Sequence, residues 1–137
     1  MPVDSGPSHN SDAPQPFAYA LLRVVPRVER GERLNVGVAL FCRRHGFLEL
    51  RTHLDAARLA ALAPGLDPEP VRAHLDALRL VVAGDSAGGA VAALQPSERF
   101  GWLVAPSSTI IQPSEVHTGM TADPHATLDH LFDALVR

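Results

Sequence analysis

Arg33-Leu34-Asn35-Val36-Gly37-Val38-Ala39-Leu40-Phe41-Cys42 is the stretch whose reading decides the fold. If extended, it is apolar on both faces, which is the pattern of a strand buried from two sides. The two faces are unequal. Leu34, Val36, Val38, Leu40 and Cys42 are bulky, whereas Asn35, Gly37 and Ala39 are small until Phe41. A small face lets another element approach closely, either the Ser108–Gln112 segment or a helix. Asn35 is then the polar group most in need of a partner, and it is expected to be hydrogen-bonded within the fold.

The flanks extend this strand into a meander. Phe17 to Val25 reads as a first strand, and Pro26 ends its regular pairing because it lacks a donor. A charged connection with Gly31 at the turn leads into the central stretch as an antiparallel hairpin. Arg43-Arg44-His45-Gly46 is the next turn. Phe47-Leu48-Glu49-Leu50-Arg51 alternates, so it is a third strand with Glu49 and Arg51 on a wet face. Met1 to Pro16 is rich in Pro, Ser, Asp and Asn and is expected to be a disordered tail. That leaves residues 17–137 as one domain, a length that can bury a core without staples.

Helices follow the meander. Asp55 is placed to cap a helix from Ala56 to Ala63, and Pro64-Gly65 to stop it. Asp67 precedes Pro68 at the start of a second helix, where Val71, Leu75 and Leu78 form a stripe, and Gly84 stops it. Asp85 to Gln95 is small-residue loop. Pro96 to Leu103 reads as a short helix, Ser108 to Gln112 as a short strand broken at Pro113, and Glu115 to Gly119 as another. Asp123 and Pro124 open a last helix whose buried stripe is Leu128, Leu131, Phe132, Leu135 and Val136. The order predicts an α+β fold: a mainly antiparallel sheet begun by a three-strand meander, with helices packed on it.

Composition narrows the chemistry. The net charge of −3 argues against a nucleic-acid binder, and aromatic content of 5% supplies few stacking platforms. All twelve basic residues are arginine. Without lysine there is no Walker loop, no Schiff-base lysine and no phosphate-pairing kinase lysine. One cysteine suits a reducing compartment. No apolar run is long enough to span a bilayer and the start lacks signal-peptide regions, so a cytoplasmic location is expected.

One motif looks catalytic. Gly84-Asp85-Ser86-Ala87-Gly88-Gly89 is a G-x-S-x-G string and resembles the nucleophile elbow of hormone-sensitive-lipase-like esterases. Its local flanks can be drawn as strand and helix. The wider context disagrees: a meander and two helices precede it, where such enzymes need repeated parallel crossover units. Val81 and Val82 are equally the end of the second helix, which makes the string a flexible loop and Ser86 a decoy.

Other candidates are weaker or structural. His125 and Asp129 are spaced i, i+4, a metal-ligand spacing, but a hydrated helix face explains them, and no metal or cofactor is expected. Cys42 ends a buried strand and reads as packing. Arg23, Arg27, Arg30, Arg33, Arg43, Arg44 and Arg51 crowd the meander, as a positive face for phosphate or an acidic partner, or as edge protection. The better polar constellation is downstream: Ser97, Arg99, Ser107, Ser108, Thr109, Gln112, His117 and Thr118 lie in short irregular elements. Arg99 can grip a carboxylate or phosphate bidentately and His117 can carry a proton. The competing reading is that these side chains fix an irregular backbone.

Two groups of strings together resemble a known family. Tyr19-Ala20-Leu21-Leu22-Arg23-Val24-Val25-Pro26, with Glu32 to Cys42, resembles the start of the bacterial DUF3037 family. Ser97 to Pro106, then Ser108-Thr109, Gln112 and Val116-His117-Thr118-Gly119, resembles its second half. The family's activity is uncharacterised, so the resemblance implies no catalytic residues. It does imply a partner, since members are often encoded beside a HipA-like kinase-fold protein. The leading expectation is therefore a small protein-interaction or accessory module. The second is a phosphate- or nucleotide-handling enzyme using Arg99 and His117. The third is an esterase using Ser86.

Overall fold

The computed structural model describes residues 13–137. The expected tail lies mostly outside the described residues. Strands β1 (Gln15–Val24), β2 (Leu34–Cys42) and β3 (Phe47–Thr52) form the antiparallel meander, joined by turns that place Gly31 and Gly46 at positive φ. Helices α1 (Ala56–Leu62), α2 (Pro68–Ala83) and α3 (Pro96–Val104) follow, then β4 (Ile111–Pro113), β5 (His117–Thr121) and α4 (Pro124–Leu135). The expected α+β class is what forms.

The sheet order is β3-β2-β1-β4, and β5 also pairs with β1. The long β1 thus carries two short strands along one edge, β5 on Gln15–Tyr19 and β4 on Leu22–Val24. Ser114 fills the break between them. Its N–H donates to Leu21 O, its Oγ accepts from Leu21 N, and the hydroxyl donates to Glu115 O, each at 2.8 Å. The buried serine replaces ladder bonds that a continuous strand would have made.

β2 is covered on both sides, as its sequence requires. On one face α1, α2 and α3 pack Leu59, Val71, Leu75, Phe100 and Leu103 against Leu22, Val24, Val36 and Ala39. On the other, α4 packs Leu128, Phe132 and Val136 against Val38, Leu40 and Cys42. Aspartates cap three of these helices: Asp55 accepts from Ala57 and Arg58 N–H, Asp67 from Glu69, and Asp123 from Ala126.

Four expectations are corrected. The face assignment of β2 fails for the residues before Gly37. Leu22 pairs with Gly37 but Arg23 pairs with Asn35, so Val36 is a bulge. Val36 therefore joins the Ala39 face, and Asn35 moves to the α4 face, where its Nδ2 donates to Leu135 O at 2.9 Å. The expected bond exists, on the opposite face. The close approach at Gly37 is made by β3: a Cβ there would sit 3.3 Å from Arg51 O and from Thr52 Cγ2. Second, β1 begins at Gln15 rather than Phe17, because β5 reaches far enough to pair with Gln15 and Pro16. Pro16 is tolerated since β2 does not extend beside it. Third, Ser108 to Ile110 lie outside β4, whose backbone pairing starts at Ile111 and runs through Pro113. Fourth, the face of β3 bearing Glu49 and Arg51 is partly covered by α4, and Arg51 pairs with Asp129 there.

Candidate functional site

Polar residues of the downstream constellation go to three different places. Arg99, in the first turns of α3, reaches back to α2. Its Nη1 donates to Val82 O at 2.8 Å, at a helix C-terminus where carbonyls lack partners and cations are favoured. Gly84 leaves room for that guanidinium: its φ is +73°, and a Cβ on it would lie 2.5 Å from Arg99 Nη1. Arg99 Nε is buried without a partner among the described residues. Ser97 is half-buried on the same helix.

His117 sits on the other face of the sheet. It pairs across the ladder with Tyr19, their rings 5.2 Å apart, and its Nε2 is 3.4 Å from Glu115 Oε1. Tyr19 packs in the α4 cluster, whereas the neighbour of Arg99, Phe100, packs in the α1–α3 cluster. The sheet therefore separates Arg99 from His117. Gln112 pairs with Arg23, and its Nε2 donates to Thr109 O at 3.1 Å. Ser108 and Thr118 are exposed.

Ser86 begins a single 3-10 turn, Ser86–Gly88, directly after helix α2. The strand required before a nucleophile elbow is a helix here. The glycines have local explanations: Gly84 ends α2 in the left-handed region, and a Cβ on Gly88 would lie 3.0 Å from the backbone of Leu80 and Val81. His125 Nδ1 lies 3.8 Å from Asp129 Oδ2, and that carboxylate is shared with Arg51. Among the described residues no group of three His, Cys, Asp or Glu side chains could hold a metal ion, and no helix is long and apolar enough to cross a membrane.

Ser107 and Thr109 do meet at a cavity. The cleft, about 310 Å³, lies between α2, α3 and the segment entering β4. Core side chains Leu22, Leu78, Leu103 and Ile111 form its floor, and Trp102, His74, Pro106, Ser107, Thr109 and Pro113 form its rim. The hydroxyls set the rim. Thr109 N donates to Ser107 Oγ at 3.2 Å and Thr109 Oγ1 donates to Ile111 O at 2.7 Å. These bonds hold Pro106–Thr109 as a fixed wall rather than offering free catalytic hydroxyls. No carboxylate or arginine lines the cleft.

Trp102 is the residue that sequence reasoning passed over. It is 44% exposed although it is the chain's one tryptophan. Its signal was available: Phe100 and Leu103 claim the buried side of α3, and Trp102 falls away from them. A larger groove of about 450 Å³ lies between β3 and α2, but Glu49, Asp76 and Arg79 line it, and Arg79 and Asp76 are paired at 3.7 Å. An aromatic wall in a cleft without carboxylate or arginine has the composition of an interface anchor point, and the charged groove does not.

Fold and site together define a small α+β domain whose helical layer carries an apolar cleft beside a half-exposed tryptophan. The family model described as a protein of unknown function, DUF3037, matches residues 19–136, and the chain belongs to that family. No match is found among curated proteins or among solved structures.

Proposed function

We propose that the chain is a protein-interaction module that seats an apolar side chain of a partner polypeptide in the Trp102 cleft. One observation carries this: a large aromatic side chain is left 44% exposed over a cavity that no carboxylate or arginine lines and that core residues floor. Such residues supply much contact area at small cost in side-chain entropy, and they are enriched among binding hot spots. A cleft of about 310 Å³ suits one or two aliphatic side chains better than a large cofactor. The family resemblance implies the class of partner, since members are often encoded beside a HipA-like kinase-fold protein. The lone cysteine, Cys42, is buried and free, which fits work in the cytoplasm.

Co-expression of the tagged chain with a HipA-like kinase-fold protein tests this. The two should co-purify at near-equal ratio, and Trp102→Ala should abolish the complex while the far-ultraviolet circular dichroism is unchanged. Recovery of the chain alone refutes the partner. A complex that survives Trp102→Ala refutes the cleft.

A further inference from the structure

Another cavity opens on the face of the sheet opposite the Trp102 cleft, at the β2 bulge. There Arg23 of β1 stands directly across from Asn35. Arg23, Arg33, Asn35 and Arg58 line a space of about 420 Å³, with aliphatic walls that include Leu21 and Leu135. No carboxylate lines it. Its three cations come from β1, from the residue before β2, and from α1, so the fold gathers them from 35 positions of sequence (Arg23 to Arg58).

The arginines differ in how far the fold already uses them. Arg58 is partly committed: its Nη1 donates to Val136 O at 3.3 Å and its Nε lies 3.5 Å from Asp55 Oδ2. The side chains of Arg23 and Arg33 make no hydrogen bond or ion pair among the described residues. Arg23 Nε is moreover buried without a partner. Burying an unmet guanidinium donor destabilises a fold, so packing alone gives no reason for an arginine here. Asn35 spends its amide on Leu135 O and helps close the cavity against α4.

We infer that this cavity binds a phosphate monoester. Guanidinium forks match phosphate oxygens in geometry and charge. A dianion with three acceptor oxygens satisfies several guanidinium groups, whereas a carboxylate offers two oxygens and one charge. The space exceeds one phosphate, and the aliphatic walls accommodate the group that carries it. The cavity shares no lining residue with the Trp102 cleft, so it stands independently of the proposed partner site.

Calorimetric titration of the chain with phenyl phosphate, inorganic phosphate and succinate tests the assignment. Phenyl phosphate should bind saturably and more tightly than either of the others. Arg23→Gln and Arg33→Gln should each weaken it about tenfold or more, the loss expected for one charge-assisted bond. Arg44→Gln, in the turn at the far end of β2, should leave it unchanged. Arg33 is exposed, so its variant keeps the test valid if Arg23→Gln does not fold. No saturable binding, wild-type affinity in both pocket variants, or succinate binding as tightly as phenyl phosphate each overturns the assignment.

Discussion

Arg99→Ala should lower the melting midpoint, and that is the whole of its expected effect. Arg99 Nη1 donates to Val82 O at the end of α2, 17 residues back in the chain. A hydrogen bond from a charged donor contributes about 1.5–3 kcal/mol. Arg99 is half-buried, so water can reach part of the freed carbonyl and offset some of this. The net loss is then about 1–2 kcal/mol. For a domain of this size 1 kcal/mol moves the midpoint by roughly 4 °C, so the shift should be roughly 4–8 °C. Thermal unfolding followed by circular dichroism reads it. Arg99→Met keeps most of the aliphatic stem and separates packing from the bond; it should recover part of the loss. An unchanged midpoint for Arg99→Ala, together with loss of nucleotide or phosphate binding, would refute the structural role and restore the enzyme reading built on this residue.

Other perturbations probe the strand that organises the fold. Gly37→Val should destabilise by about 1–3 kcal/mol through overpacking against Arg51 O and Thr52, whereas Gly37→Ala, which also gains by restricting the unfolded chain, should stay near wild type in a denaturant titration. Asn35→Ala should cost about 1–2 kcal/mol, since it removes the bond to Leu135 O and leaves that carbonyl unmet; chemical denaturation checks it. Asp55 is held below the usual aspartate range, first by the hydrogen bond from Arg58 N–H and also by that from Ala57 N–H. Its folded pKa lies below its unfolded one, so its contribution is present above about pH 4 and is lost as pH falls through the folded value. Melting curves from neutral to acid pH should lose that part of their acid dependence in Asp55→Asn, which keeps a capping side chain.

Most of the fold was legible because local signals agreed with one another. Asp-Pro pairs before α2 and α4, glycines after turns, and apolar stripes on the helices each named an element that exists. The errors came from features with no local signature. A bulge at Val36 reverses strand parity without changing the apolar pattern, so Asn35 was given the wrong face although its need for a partner was plain. Pairing of Gln15 and Pro16 depends on β5, a hundred residues away in sequence, and nothing in those two residues announces it. The sites were harder still. Ser97, Arg99, Gln112, His117 and Thr118 are near in sequence, but an antiparallel edge and a helix distribute them to both faces of the sheet. Ser107 and Thr109 alone of that group line the Trp102 cleft. Arg58 joins Arg23 and Arg33 only after α1 is packed, so the cationic cavity has no linear motif to find.

The most direct test of the proposed module uses Trp102 itself. The chain has one tryptophan, so growth with 5-fluorotryptophan gives one fluorine resonance, which reports the cleft even when the partner carries tryptophans of its own. Addition of the unlabelled kinase-fold partner should shift that resonance saturably at equimolar ratio. A complex that forms by size-exclusion chromatography while the resonance stays in place would contradict the account, because the partner would then bind elsewhere.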